Sequence, residues 1–490
     1  MTLAIPPRPV PSTAPGDSAE EIAYARRVFA AQEESRWRIA RTTAAERTAR
    51  LRRLRDAVDR RRQDVCAALE ADFGKCPAET EITEVWTTLV EVGHAIRHLR
   101  RWMRPRRVGA PLLLLGTRSE IRYEPRGRAL VLAPWNYPFL LTMGPVALAV
   151  AAGNTVIARP SEKVPHAGRM LRSLLAEVFP EEEVAVVLGG IDVAEALLDL
   201  PFDHVFFTGS TAVGRKVMAA ASRHLASVTL ELGGKPPAIV DESADVEKAA
   251  RRIAWGKLVN AGQSCIAPDH VWVHASREQA FLRALGERIA AQYGRTGEER
   301  RRSPDLARMV DRHAAARLAR WLEEALAAGA KVALGGTADP EARWVEPTVL
   351  TDVPLDCALM REEIFGPVLP VLRYRDLGEV LARIRAGPKP LAVYVFGARR
   401  ANVERVLRET TAGGSGVNMP LLHLANPELP FGGVGESGMG NHHGLAGFRA
   451  FSHERAVLTQ GPLAFIEALF PPYGTRLSRR IRTLARRLAR

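Results

Sequence analysis

The sequence predicts an α/β fold with a parallel, doubly wound sheet. Three observations carry this. From Arg128 onward, short apolar runs of strand length alternate with segments of helical periodicity. A second series of the same kind begins after Gly234. The chain has 490 residues, enough for roughly two to four structural units.

The elements follow in order. Residues from Ser18 to about Met103 read as helices, because Ile22, Ala25, Val28 and Phe29 recur at helical spacing, as do Leu51, Leu54, Val58, Val65 and Leu69. Pro105 to Gly116 reads as a loop with an apolar tip, Ser119 to Tyr123 as a strand, and Arg128 to Leu132 as a buried strand ending at Pro134. Next come a helix from Pro145 to Ala152 stopped by Gly153-Asn154, and a strand from Thr155 to Ala158. A helix spans Ala167 to Val178, a strand Ala185 to Leu188, a helix Val193 to Asp199, a strand His204 to Phe207 and a helix Ala212 to Ala221. In the second series, strands are expected at Ala238 to Val240, His270 to Val273, Pro347 to Leu350, Val368 to Tyr374 and Leu391 to Phe396. Helices are expected at Val246 to Val259, Glu278 to Gln292 and Asp311 to Ala328.

Composition narrows the class. A hydrophobic content of 47% with 25% charged residues is ordinary for a globular protein. No apolar run reaches the ~18–20 residues of a membrane span. The Pro-rich N-terminus, residues 1–17, has neither a basic leader nor a continuous apolar stretch, so it reads as a disordered segment and not as a signal peptide. Cys66, Cys76, Cys265 and Cys357 form no zinc-like spacing and no disulfide framework, which points to a reducing cytosol. The net charge of +14 invites a nucleic-acid or membrane partner. Seven of the arginines lie between Arg476 and Arg490, however, and no aromatic RNA-binding signature accompanies them, so no nucleic acid is expected. In that tail Leu477, Ile481, Leu484 and Leu488 share one helical face. A basic amphipathic helix of this kind is a candidate contact for anionic membrane; a helix packed on the body or free in solvent is the alternative. His94 and His98 lie four apart on an expected helix, but no carboxylate or thiol cluster joins them, so they read as surface histidines and no metal is expected.

Several short segments carry chemistry. Cys265, after the small-residue turn Asn260-Ala261-Gly262, offers a nucleophile, and Glu231, before Gly233-Gly234, offers a base. Asn136 sits between Pro134 and Pro138 after a buried strand, where an amide can donate to an oxyanion. Gly209-Ser210 and Gly214 lie in a strand-to-helix turn suited to a pyrophosphate, although the spacing is not G-x-G-x-x-G and Arg215-Lys216 excludes a P-loop. Arg159, Ser161 and Glu162 flank another turn that can hold a ribose, and Glu363 precedes Phe365 and Gly366. Taken singly, each also reads as ordinary structure: a tight turn, an Asn satisfying loop carbonyls, a surface ion pair, an acid beside a core Phe.

Their joint order resembles the aldehyde dehydrogenase superfamily, nearest its class 3 branch of fatty and aromatic aldehyde dehydrogenases, over roughly Ser18 to Gln460. The stretches that carry the resemblance are Pro134-Trp135-Asn136-Tyr137-Pro138, Phe206-Phe207-Thr208-Gly209-Ser210-Thr211, Leu230-Glu231-Leu232-Gly233-Gly234-Lys235, Trp255-Gly256-Lys257, Gly262-Gln263-Ser264-Cys265, Glu363-Ile364-Phe365-Gly366-Pro367 and Pro430-Phe431-Gly432-Gly433.

The resemblance implies an aldehyde dehydrogenase-like fold: two doubly wound αβα domains and a small β oligomerisation and bridging element. The NAD(P)-binding domain would take residues 18–117 and 128–231, the bridging strands 118–127 and 441–460, the catalytic domain 232–440, and the basic tail 461–490. It implies oxidation of an aldehyde through a thiohemiacetal and thioester on Cys265, with Asn136 and the Cys265 N–H at the oxyanion and Glu231 activating water. Trp135, Arg159, Ser161, Glu162, Gly209, Ser210, Gly214, Leu232, Glu363 and Phe365 would hold NAD or NADP. Medium or long aliphatic and aromatic aldehydes are the implied substrates, and a cytoplasmic homodimer the implied assembly, membrane-peripheral if the tail engages lipid. The rivals are a coenzyme-A-acylating enzyme and a non-catalytic protein that kept the fold. Three departures stand out. Arg159 replaces the family's Lys, Ser264 replaces a common Thr, and Met419 follows Asn418 where class 3 relatives usually have Asp. A guanidinium suits a 2′-phosphate, whereas Glu162 repels one and suits a free hydroxyl, so NAD-favoured or dual use is expected.

Overall fold

The computed structural model describes residues 18–111 and 114–462, together with positions 467, 470–472, 475, 476, 479–481, 483 and 486. The Pro-rich leader and most of the tail's apolar face (Leu477, Leu484 and Leu488) lie outside the described residues.

The N-terminal third is helical because its apolar stripes recur at helical spacing and its ends are capped. Ser18–Ala40 is followed by Ala44–Arg60, which opens on a capping box: Thr43 Oγ1 accepts from Glu46 N while Glu46 Oε2 accepts from Thr43 N. Arg62–Phe73 stops at Gly74 with φ +64°, and Thr87–Trp102 closes the group. Between these, Glu81–Trp86 forms one π-helical turn that leaves Glu84 fully buried and Trp86 exposed.

The first sheet has six strands in the order Gly438–Met439, Ser227–Glu231, His204–Thr208, Arg128–Leu132, Thr155–Arg159, Val184–Val186. All neighbours are parallel except Gly438–Met439, which runs antiparallel to Ser227–Glu231. Thr155–Arg159 is buried at every position, as expected for a parallel strand covered on both faces. The second sheet has seven strands, ordered Lys331–Leu334, Thr348–Thr351, Val368–Tyr374, His270–His274, Pro237–Val240, Ala392–Phe396, Gly414–Val417, and only the Lys331–Leu334 edge is antiparallel. In a separate three-stranded sheet, Thr117–Pro125 pairs antiparallel with Ser452–Gln460 on one side and Arg106–Val108 on the other. Among the described residues no helix is long and apolar enough to cross a membrane.

The structure departs from the sequence reading in several places. The helix expected from Pro145 begins at Leu140 and carries Pro145 inside it, because its first amides are capped from elsewhere: Glu84 Oε2 accepts from Phe139 N and Leu140 N. The supposed loop from Pro105 contains the strand Arg106–Val108. Helices Leu377–Ala386 and Arg400–Glu409 and strands Ser227–Glu231 and Gly414–Val417 carry no sequence assignment above. His94 is not a surface residue; it is buried, and Glu428 from a distant loop approaches it at 3.7 Å.

Candidate active site

Two sheets meet end to end. The first contributes the loops after its strand carboxyl ends: Asn136 follows Arg128–Leu132, Glu162 follows Thr155–Arg159, Ser210 follows His204–Thr208, and Glu231 closes Ser227–Glu231. Ligands of open α/β sheets gather at such ends. The second sheet contributes loops before its strands. Cys265 precedes His270–His274 and Glu363 precedes Val368–Tyr374.

The turn before Cys265 is unusual backbone. Asn260, Ala261 and Gly262 are consecutively left-handed, with φ of 52°, 51° and 75°. A non-glycine residue held there costs roughly 1–2 kcal/mol, so the surroundings must enforce it. They do. Asn260 N donates to Glu79 Oε1 at 2.9 Å, and Asn260 Nδ2 donates to Asn136 O at 2.8 Å and to Gln263 O at 3.1 Å. Gln263 is fully buried; its amide donates to Asn260 O and Arg308 O and accepts from Val310 N. A Cβ on Gly262 would stand 2.3 Å from Gly366 O, so this position tolerates only glycine.

Cys265 is half-buried. Burial, then the Glu363 and Glu231 carboxyls, push its thiol well above the usual cysteine range, while the Cys265 and Ile266 N–H groups pull the other way. The resting group is therefore a neutral thiol facing two acids. Asn136 is buried and its Nδ2 donates to Gln263 O at 3.1 Å, which seats the amide on the turn that carries Cys265. Behind it lies an ion pair with both side chains fully buried. Lys75 Nζ meets Glu84 Oε1 at 2.6 Å, and Glu84 Oε2 holds the amides of Phe139 and Leu140. Lys75 also lies 4.3 Å from the Tyr137 ring centroid.

Glu231 is buried, and neither carboxyl oxygen has a partner. Burial alone raises its pKa well above the ordinary carboxylate value. An unpartnered buried acid is costly unless used. Glu363 lies against Gly233, where a Cβ would collide with its Oε2, and its Oε1 is buried without a partner. Burial raises the Glu363 pKa to about 8 against the Gly234 N–H that lowers it. The segment ahead of Glu363 is clamped by Lys235, whose Nζ donates to Asp269 Oδ2 at 2.5 Å, Glu362 O at 2.6 Å and Leu359 O at 2.8 Å. Lys257, in the helix Val246–Leu258, is buried near these groups, and burial lowers its pKa to about 8. Glu79, Lys75, Glu84, Gln263 and Lys257 carried no role in the sequence reading.

The remaining predicted residues form a ledge along the first sheet. Arg159 Nη2 donates to Glu162 Oε2 at 2.7 Å and to the carbonyls of Gly189 and Gly190 at 2.6 and 2.9 Å. Ser161 Oγ lies 3.4 Å from the same Glu162 oxygen. Ser210 caps the helix Thr211–Ser222, accepting from Val213 N, so the amides of that helix's first turn face outward beside Gly209. Gly214 does not line the turn's open side. It is buried, and a Cβ there would stand 2.6 Å from Leu232, so its absence of side chain lets helix and strand pack closely. Trp135 and Phe365 meet edge to face at 5.3 Å. The Phe431–Gly440 segment returns to this seam: Ser437 O accepts from Leu232 N, Glu436 O accepts from Thr211 Oγ1, and Gly438 pairs with Glu231. The structure thus brings Cys265, Glu231, Glu363 and Asn136 together and sets Arg159, Ser161 and Glu162 apart on the ledge.

The comparisons with known proteins bear on the family and the fold. The family model described as aldehyde dehydrogenase family matches residues 10–457. The chain is similar to a 4,4'-diaponeurosporen-aldehyde dehydrogenase of Staphylococcus aureus, 42% identical over 87% of this chain and 92% of that one. It is similar to aldehyde dehydrogenase family 3 member A2 of Mus musculus, 40% identical over 85% and 84% of the two chains. A solved structure titled "Substrate bound state of Staphylococcus Aureus AldH" superposes with a TM-score of 0.88 at 39% identity, covering 96% of this chain and all of the other.

Proposed function

The chain belongs to the aldehyde dehydrogenase family, in which NAD(P)-dependent oxidation of an aldehyde is the shared reaction, and from that premise we propose how its own residues carry the reaction out. Cys265 gives its thiol proton to the Glu231 carboxylate as it attacks the aldehyde carbonyl, and the C–S bond that forms leaves a thiohemiacetal oxyanion. Asn136 Nδ2 and the Cys265 N–H donate to its oxyanion, where preorganised donors stabilise developing charge. The left-handed turn at Asn260–Gly262 fixes both the sulfur and those donors. The residues present fit NAD(P): Glu363 Oε1 and Thr208 Oγ1 are buried without partners, and Arg159, Ser161, Glu162, Gly209, Ser210, Trp135, Leu232, Phe365 and Glu363 would hold it. When bound it supplies the hydride acceptor that turns the thiohemiacetal into a thioester. Glu231, its proton released to solvent, then takes a proton from the water that hydrolyses the thioester; burial raises its pKa and so makes its ionised carboxylate a stronger base.

The observation that carries this reading is the pair of orphaned Glu231 oxygens beside the Cys265 turn. Glu231→Gln, followed by stopped-flow absorbance of the reduced cofactor, is expected to keep a burst of about one turnover per site and to lose steady-state turnover by roughly 10²–10⁴-fold. Unchanged steady-state turnover would remove Glu231 from the base role, and a burst followed by turnover only with coenzyme A would favour acyl transfer. The relatives' names point to long aliphatic or aromatic aldehydes as substrates. We further read the protein as a homodimer joined through the exposed edge of Ser452–Gln460, as cytoplasmic given its free cysteines, and as contacting anionic lipid through its arginine-rich tail.

A further inference from the structure

We propose that His94, His98 and Glu428 form a binding site for a divalent transition-metal ion, outside the reaction centre. The two histidines stand one turn apart on the helix Thr87–Trp102, and Glu428 comes from the loop three residues before Phe431. One ligand atom from each of the three lies within 4.8 Å of the others. His94 Nε2 and Glu428 Oε1 are 3.7 Å apart. Ligands about 2.0–2.2 Å from one tetrahedral ion are separated by roughly 3.3–3.6 Å; the His94–Glu428 pair is already close to that, and binding contracts the set from its present spread of up to 4.8 Å.

The protonation states suit this. His98 Nδ1 lies 2.9 Å from His94 O, an acceptor only, so Nδ1 carries the proton and Nε2 keeps its lone pair. A backbone carbonyl fixing the tautomer of a ligating histidine is the usual second-layer support of such sites. Trp102 packs against both rings, 5.5 Å from His94 and 6.0 Å from His98, which restricts their motion. Two imidazoles and one carboxylate leave a fourth position for water and favour zinc or cobalt over magnesium or calcium, which prefer oxygen. Bound there, the ion ties the helix Thr87–Trp102 of the N-terminal region to the loop leading into Phe431 and the strand Gly438–Met439, which pairs with Glu231. Its effect is therefore to stiffen the approach to the base without touching substrate.

The test uses the untagged full chain, stripped of metal and titrated with cobalt(II) while visible absorbance and thermal midpoint are followed. A cysteine-bound ion is excluded by repeating the titration in Cys265→Ala. Expected are one cobalt per chain with ligand-field bands of four-coordinate nitrogen and oxygen, a raised midpoint, the same behaviour in Cys265→Ala, and at least a tenfold weaker affinity in both His98→Ala and Glu428→Ala. Those two side chains are not buried, and circular dichroism reports that both variants fold. Binding that disappears in Cys265→Ala, or that stays within twofold of wild type in either His98→Ala or Glu428→Ala, overturns the site.

Discussion

Replacing Lys257 by Met should make this protein more stable. Lys257 is buried at the end of the helix Val246–Leu258, and its carbonyl lies against the Gly262 turn. Burial is the main cause of its lowered pKa, with Asp269 opposing and Lys235 reinforcing the drop from 10.5 to about 8. At 1.36 kcal/mol per pH unit, holding this ammonium in the folded state costs about 3 kcal/mol at pH 7. The sign follows from linkage. A lysine whose folded pKa lies below its unfolded value destabilises fully below the folded pKa, and the cost fades as pH rises between about 8 and 10.5. At pH 9.5 roughly half of that cost is left. Methionine matches the length and volume and carries no charge, so repacking costs little. Thermal midpoints of Lys257→Met and wild type, measured at matched scan rates, should therefore differ by several degrees at pH 7 in favour of the variant, and by about half as much at pH 9.5. The variant should also be slower, because a buried charge retained at such a cost is expected to serve the site. A midpoint below wild type at pH 7, or a difference that does not shrink with pH, would refute the reasoning.

Three further outcomes are expected. Glu84→Gln leaves Lys75 charged and unpaired in the core, which costs about 3–5 kcal/mol, and it loosens the amides that seat Asn136; urea midpoints report the first effect and a fall in burst rate the second. Leu225 is 93% exposed with φ of 52°, so Leu225→Gly removes left-handed strain without losing buried surface and should raise stability by about 1 kcal/mol, measured as a thermal shift. Arg159 already spends one nitrogen on Glu162 and two carbonyls, so Arg159→Lys should weaken cofactor binding without reversing a preference for NAD; a wild-type preference for NADP in kcat/KM that vanishes in Arg159→Lys would show the guanidinium reading a phosphate.

What the sequence disclosed, and what it did not, has a physical basis. The strands Arg128–Leu132 and Val368–Tyr374 were legible to the residue because buried parallel strands are unbroken apolar runs between turn residues. Ser227–Glu231 was not, since only its last three positions are buried and its closing residue is an acid. Pro145 misplaced a helix start because proline favours a first turn, and the residue that caps the true start, Glu84, is 55 positions away. The residues proposed to react were singled out through motif resemblance, whereas the groups packed around them were not: Glu79, Lys75 and Gln263 act by burial and by pairing with other segments, which leave no periodic trace. The same applies to His94 and Glu428, joined by 3.7 Å of space and more than three hundred residues of chain.

The end-to-end meeting of the two sheets has an evolutionary consequence. The nucleophile and its base belong to different halves of the chain, so neither half can be exchanged with a relative's unless the facing loops match. The ledge of Arg159, Ser161 and Glu162 lies wholly within the first half and shares no hydrogen bond with the Cys265 turn. Cofactor preference can therefore drift through substitutions on the ledge while the acyl chemistry stays fixed. Arg159 stands in the part of this enzyme that selection can tune separately.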